Sequence, residues 1–373
     1  MKWHAQHQRT AFQGVLPILI AVTASIQLPL AADAEDFHIK NGDVTSLIAA
    51  INAANEADDA DVIHLAKRGH YVLTTEYADA TGLPPITSPI TIDGNDAAIY
   101  RDGSPATPEF RIFYVRRGGN LGLDHVTVTN GATFFGGGIY VDGILSLVNG
   151  TSIANNRGGD GGGIFVQLGI VEIRDSVVSG NVAFYGGGIL ADNGATTEII
   201  ASRITDNRAI QPPGPVSGGW GGGIANMRFG GGFPDFGTSL VIRDSMIDHN
   251  SAVQGGAIYD NTGKAVVFNS TIANNTATSS NGGAIAKVGD ASLGARHNCI
   301  VGNSNIALVG DGTVPDVTAD YNWWGAADGP SGFGGGSGDS VNSHVSFGPF
   351  LRSPAAAQCQ PLQDGDHKEK KEK

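Results

Sequence analysis

The chain has 373 residues, of which 55 are glycine and 16% are charged, and its formal net charge is −13. Such a surface repels phosphate backbones and uronic-acid polymers at long range, so nucleic acid is not an expected partner. Its two cysteines, Cys299 and Cys359, are too few for a disulfide framework or a cysteine zinc cluster; they either pair with each other in an oxidising compartment or stay free.

Lys2 and Arg9 precede an apolar run from Gly14 to about Leu30, and Ala32-Asp33-Ala34 follows. A basic region, an apolar region and a small-x-small site are the parts of a secretory signal peptide, so residues 1–34 are expected to leave by cleavage after Ala34. The alternative is a membrane anchor, but Pro17 and Pro29 bracket a stretch barely long enough to cross a bilayer. Cleavage removes Lys2, Arg9 and Asp33 and moves the formal charge to −14. No second long apolar run follows, so the mature chain reads as secreted or surface-held, without a membrane span.

Val44, Leu47, Ile48, Ile51 and Ala54 lie at helical spacing after Asp43, a suitable N-cap. Short apolar runs bounded by turn residues come next and predict strands: Asp61-Val62-Ile63-His64-Leu65, Tyr71-Val72-Leu73 and Ile90-Thr91-Ile92. Residues 35–110 are thus expected to form an N-terminal cap and the first coils. A solenoid exposes core at its ends unless an atypical unit covers it, and the amphipathic helix is the cover.

The rest of the chain repeats itself. A Gly-Gly-Gly/Ala-Ile phrase begins at Gly136, Gly161, Gly186, Gly221, Gly255 and Gly282. An asparagine three places after an aliphatic residue recurs at Asn156, Asn181, Asn207, Asn250, Asn275 and Asn303, with spacings of 25, 26, 43, 25 and 28 residues. A period near 25 with short apolar runs marks a solenoid. Three strands per coil give an all-β, right-handed parallel β-helix, expected to have about seven to nine coils, with its repeats in 111–310. Stacked asparagine amides bond from coil to coil and tolerate left-handed angles, so these asparagines are structural. The long spacing holds two insertions, 211–219 with three prolines and 227–237 with Phe229, Phe233 and Phe236; inserted loops on a rigid scaffold are where function concentrates.

Residues 311–352 contain Tyr321-Asn322-Trp323-Trp324-Gly325 and Asp328-Gly329-Pro330, expected to close the last coil, and 353–373 form a charged tail expected to be disordered. The Ala50, Ala54, Asn55 helix ending, Asp61 to Leu65, Tyr71 and Leu73, Thr91-Ile92-Asp93-Gly94 and the Asn-Trp-Trp-Gly closing segment resemble secreted parallel β-helix proteins related to the polymorphic outer membrane proteins. The resemblance covers roughly residues 37–352, and it implies an exported bacterial protein. The cysteine-containing start of many relatives is replaced here by Asp43-Val44-Thr45-Ser46-Leu47.

Two surfaces are candidates for chemistry. The residues preceding the glycine phrases, Phe135, Asp160, Tyr185, Trp220, Gln254 and Asn281, form one edge, where aromatic faces pack on sugar rings and polar groups bond hydroxyls; alternatively they stack on one another. Asp206 and His249 fall at equivalent positions on neighbouring coils with Asp248 beside them, an arrangement that places paired carboxylates for glycoside cleavage or simply furnishes a solvated turn. Arg174 and Arg243 share a register two coils apart, with Ser or Ala expected between, which leaves a uronate lyase or epimerase site incomplete. No cofactor is expected; calcium would suit a lyase, but no Asp-rich calcium repeat is present. The expectation is therefore a non-enzymatic, adhesin-like protein that binds polysaccharide or a cell surface through Phe135, Asp160, Tyr185, Trp220 and the loop phenylalanines. The alternative is a polysaccharide-degrading hydrolase, or less directly a lyase or epimerase, using Asp206, Asp248 and His249.

Overall fold

The computed structural model describes residues 35–56, 59–215, 217–228, 237–261, 263–279, 282–312, 316–354 and 359. Residues 1–34, where a signal peptide is expected, nearly all of the tail, Asn281 and the loop residues Phe229, Phe233 and Phe236 lie outside these. Within them the chain is an all-β, right-handed parallel β-helix of about 11 turns with one short helix. The count exceeds the seven to nine coils expected because the N-terminal strands also wind: Asp36–Ile39 pairs with Asp61–Leu65, which pairs with Pro89–Arg101. No helix among the described residues is long and apolar enough to cross a membrane.

The coils build three parallel sheets, and six central coils contribute to all three. A short strand such as Val182–Ala183 lies in a six-stranded sheet, and Ile189–Asp192, after the glycine phrase, lies in a ten-stranded sheet. Two further strands, Thr196–Ile200 and Arg203–Thr205, belong to a 19-stranded sheet that bends around the coil. The bends need left-handed backbone. One corner carries Asp175, Ala201, Asp244, Asn269 and His297 at positive φ, and the other carries Asn155, Gly180, Asp206, His249, Asn274 and Gly302. Asn, Asp, His and Gly accept that conformation at least cost.

Aliphatic side chains at alternate positions fill the bore, from Ile63, Ile92 and Leu123 to Ile258, Ile285 and Leu308. The helix Val44–Glu56 buries Leu47, Ala50, Ile51 and Ala54 against the first coils. Asp43 caps it, accepting from the Ser46 amide at 2.9 Å and the Ser46 hydroxyl at 2.7 Å. Asn55 and Ala54 tie its end to Pro85, Thr87 and Ser88. At the other end Trp324 is fully buried in the same core, with Phe347 and Phe350 packed against it.

Two side-chain ladders hold coil to coil. Each ladder amide nitrogen donates to a carbonyl of the preceding coil and to the next asparagine's Oδ1, as Asn207 does to Val178 at 2.9 Å and to Asn250 at 3.0 Å. The 43-residue interval therefore leaves the register intact, with its excess looped out. Gly131 takes the asparagine's place in the first repeat and donates its N–H to Asn156. The Asp339 carboxylate ends the row by accepting from Gly302 and Asn303. A second row of Ser176, Ser202, Ser245, Ser270, Asn298 and Asn322 links backbone N–H to side-chain oxygen at 2.8–3.2 Å. Cys299 and Cys359 form a disulfide, which fastens residue 359 to the last coils.

Replacing Asn207 by Ala orphans buried groups on both adjoining coils and is expected to cost about 3 kcal/mol or more. Asp206→Asn, at the exposed corner one residue earlier, should stay within ~0.5 kcal/mol. Equilibrium denaturation of both variants checks this contrast.

Candidate functional site

The outer face of the ten-stranded sheet departs from ordinary surface chemistry. In register along it stand Tyr114, Tyr140, Phe165, Leu190, Ala225, Tyr259 and Ala286. Each follows the first inward-facing residue of its strand, Phe113 in the first and an isoleucine in the others, and they build an apolar layer outside the bore. The stripe Phe135, Asp160, Tyr185, Trp220 and Gln254 pairs residue by residue alongside. The left-handed first glycine of five phrases, Gly136, Gly161, Gly186, Gly221 and Gly255, folds the stripe against the sheet. At Gly186, with φ of 61°, a Cβ would lie 2.3 Å from the Ile189 carbonyl oxygen, so the turn admits no side chain.

The layer divides into a packed half and an open half. Trp220 stacks on Tyr259 with centroids 5.1 Å apart, and Tyr185 meets Trp220 edge-on at 5.3 Å. Tyr185 also donates to the Ser217 carbonyl in the first inserted loop. Tyr185 and Trp220 thus hold the loop and the face together. In the other half, Phe134 and Phe135 are 57% and 43% exposed and stand edge to face. Phe135 lies 5.4 Å from Phe165, Phe165 5.1 Å from Tyr140, and Tyr140 is stacked on Tyr114 at 4.9 Å. The Arg111 guanidinium sits 5.2 Å from the Tyr140 ring centroid and donates to the Phe135 carbonyl. Polar tips rim the patch, because Tyr114 donates to Asp142 at 2.9 Å and Tyr140 to Gln167 at 2.8 Å. Burial and the Asp142 hydrogen bond push the Tyr114 hydroxyl up to about 12.

Asp160 lies in the stripe between Phe135 and Tyr185. It is 7% exposed and its Oδ1 has no hydrogen-bond partner. Burial, reinforced by the charge of Asp192, pushes its carboxyl up to about 7. A carboxyl at that value, beside aromatic rings, is suited to holding or donating a proton near neutrality.

The structure places Asp206, Asp248 and His249 elsewhere, Asp248 at the end of a short strand of the large sheet and Asp206 and His249 at the corners just after such strands. Thr205, not Asp206, stands in register with Asp248. Asp206 is an exposed corner residue that accepts from its neighbour Thr205 at 3.0 Å, and His249 is the equivalent corner one coil on. Asp248 is fully buried and held by Arg203 through two bonds of 3.0 and 2.8 Å and by His249 Nδ1 at 2.6 Å. Burial alone would raise its carboxyl, but the bonds from Arg203, His249 and Thr205 and the Arg203 charge outweigh that and hold it below the usual range. Asp248 anchors Arg203 in this arrangement. The coil between Arg174 and Arg243 carries Ile200 in their register, not the expected Ser or Ala, while Ala201 stands at the corner position of Asp175 and Asp244. Among the described residues no three His, Cys, Asp or Glu side chains converge as metal ligands.

The patch residues Arg111, Tyr114, Phe134, Tyr140 and Phe165 were not singled out in the sequence. Their signal was an aromatic one place after the phrase isoleucine, at Tyr140, Phe165 and Tyr259.

No protein-family model matches the chain, and no curated protein does. Among solved structures it is similar to one described as the crystal structure of pectate lyase Pel9A, at 13% identity over 88% of this chain and 81% of that one, with a TM-score of 0.45.

A folded-state value for Asp160 of about 7 exceeds the unfolded value of ~4. The folded chain therefore keeps a proton that the unfolded chain releases, and this group's contribution to stability falls as pH rises through that window. Asp160→Asn should match the parent's thermal stability near the bottom of the window and exceed it above the top. A melting-temperature difference independent of pH would contradict the burial.

Proposed function

We propose that this chain is an exported protein that binds polysaccharide or a glycan-bearing cell surface along the outer face of its ten-stranded sheet. The observation that carries the reading is the continuous aromatic cluster of Tyr114, Tyr140, Phe165, Phe135 and Phe134, in which Phe134 and Phe135 are open to solvent next to the buried Phe165, with Asp142 and Gln167 at its rim and Arg111 packed against Tyr140. Coil stacking repeats these platforms at the inter-strand spacing of about 4.8 Å, so an extended polymer meets several coils at once. Aromatic faces cover the apolar sides of sugar rings, and the polar rim bonds hydroxyls.

Export is supported by the signal-peptide pattern of residues 1–34 and by the Cys299–Cys359 disulfide, which belongs to an oxidising compartment. Kinship with the polymorphic outer membrane proteins is part of this proposal, carried by the capping-helix and Asn-Trp-Trp-Gly motifs. One observation favours a second reading, polysaccharide cleavage. Asp160 is a buried carboxyl raised to about 7 with the charge of Asp192 acting on it, on the aromatic face itself, and a protonated carboxyl paired with an ionised one is what glycoside hydrolysis uses.

A glycan panel screened for binding and for released sugar ends together tests both. Binding without cleavage, weakened at least about tenfold in Phe135→Ala, is expected; loss of one well-placed aromatic contact is worth ~1.5 kcal/mol. Cleavage abolished by Asp160→Asn would replace the binding reading with the hydrolase. Binding untouched by Phe135→Ala would move the ligand away from this face.

A further inference from the structure

Glu35 becomes the first residue of the chain if cleavage falls after Ala34. It leads into the first strand, Asp36–Ile39, which pairs with Asp61–Leu65. The start of that second strand binds both backbone groups of Glu35. The Glu35 carbonyl accepts from the Val62 N–H at 3.0 Å, and the Glu35 nitrogen donates to Asp61 Oδ1 at 2.9 Å.

Asp61 is 2% exposed, and its Oδ2 has no hydrogen-bond partner. Among the described residues it has no cationic partner either. A buried carboxylate held by one peptide N–H, with its second oxygen bare, is costly. Asp248 shows the usual remedy, since it is also buried but carries the Arg203 guanidinium on both oxygens. A peptide nitrogen has one proton and no charge. An α-ammonium on the same atom has three protons, enough to reach both Asp61 oxygens, and it carries the missing charge at neutral pH.

We propose that signal-peptide cleavage between Ala34 and Glu35 frees an α-ammonium that stays on Asp61 as a buried ion pair, so that maturation fastens the first strand to the solenoid. The inference rests on the export reading. The step is hydrolysis by a signal peptidase of the exporting cell. Water gives its hydroxyl to the Ala34 carbonyl carbon and its hydrogen to the Glu35 nitrogen as the C–N bond breaks. The proton shed by the new Ala34 carboxyl balances the one taken up by the new amine. Before cleavage the same nitrogen offers Asp61 a neutral N–H only. Because the first strand runs on into the helix Val44–Glu56 that covers the bore, the ion pair secures the capped end.

N-terminal sequencing of the exported chain comes first. Glu35 is the expected first residue; another first residue, or an uncleaved chain, overturns the proposal, and the uncleaved chain also removes the support for export. The chain beginning at Glu35 is then compared with its Nα-acetylated form, which keeps one N–H and loses the charge, and both are made again with Asp61→Asn. Near neutral pH, amide hydrogen exchange across Asp36–Ile39 should be at least about tenfold slower in the free-amine parent than in the acetylated parent. In Asp61→Asn the two forms should exchange alike. If that variant does not fold, a chain that retains Ala34 takes its place, and it should exchange as fast as the acetylated parent. Equal exchange in the free and acetylated parents overturns the docking while leaving export standing. A free-amine advantage that survives Asp61→Asn, or retention of Ala34, also overturns it.

Discussion

The asparagine row is the constraint on which the molecule depends. Each coil ends a strand in a left-handed corner, and the next residue must satisfy backbone groups that the corner has taken out of the sheet. Asn156, Asn181, Asn207, Asn250, Asn275 and Asn303 do this with one amide each, donating backward to a carbonyl and onward to the next asparagine or, for Asn303, to Asp339. Because every member is both donor and acceptor, the row has to be finished at its ends. Gly131 opens it with a backbone N–H and Asp339 closes it with a carboxylate. The helix and Trp324 finish the hydrophobic bore in the same sense.

With register secured on one corner, the remaining faces are free to diverge. The insertion of extra residues between Asn207 and Asn250 changes nothing in the ladder, and the outer row of the ten-stranded sheet accumulates rings without disturbing the core. Packing then decides which rings stay available. Tyr185 and Trp220 are drawn into contact with Ser217 and Tyr259, whereas Phe134 and Phe135, at the end away from the inserted loop, keep an open face. Dynamics follow the same division, since rings fixed by neighbours on both sides lose the freedom that solvent-facing rings retain.

Fold was legible in the sequence because its determinants recur: glycines at each tight turn, asparagines at each ladder position and aliphatics between them. The site was less so, because it rests on residues that occur once. Asp206 and His249 looked chemical, but they occupy a corner where Asn155, Gly180, Asn274 and Gly302 stand on other coils, so backbone conformation accounts for them. Asp248 is bound to Arg203, a contact between coils that no local pattern announces. Tyr114 and Arg111 precede the first glycine phrase and could be aligned only once pairing was known.

Hydroxyl-radical footprinting, with and without an oligosaccharide that the chain retains, would test the central claim most directly. The account predicts protection of Phe134, Phe135 and Tyr140 together, with Trp220 and Tyr259 little changed because packing already shields them. Protection confined to the corner of Asp206 and His249, with the aromatic patch still reactive, would contradict it.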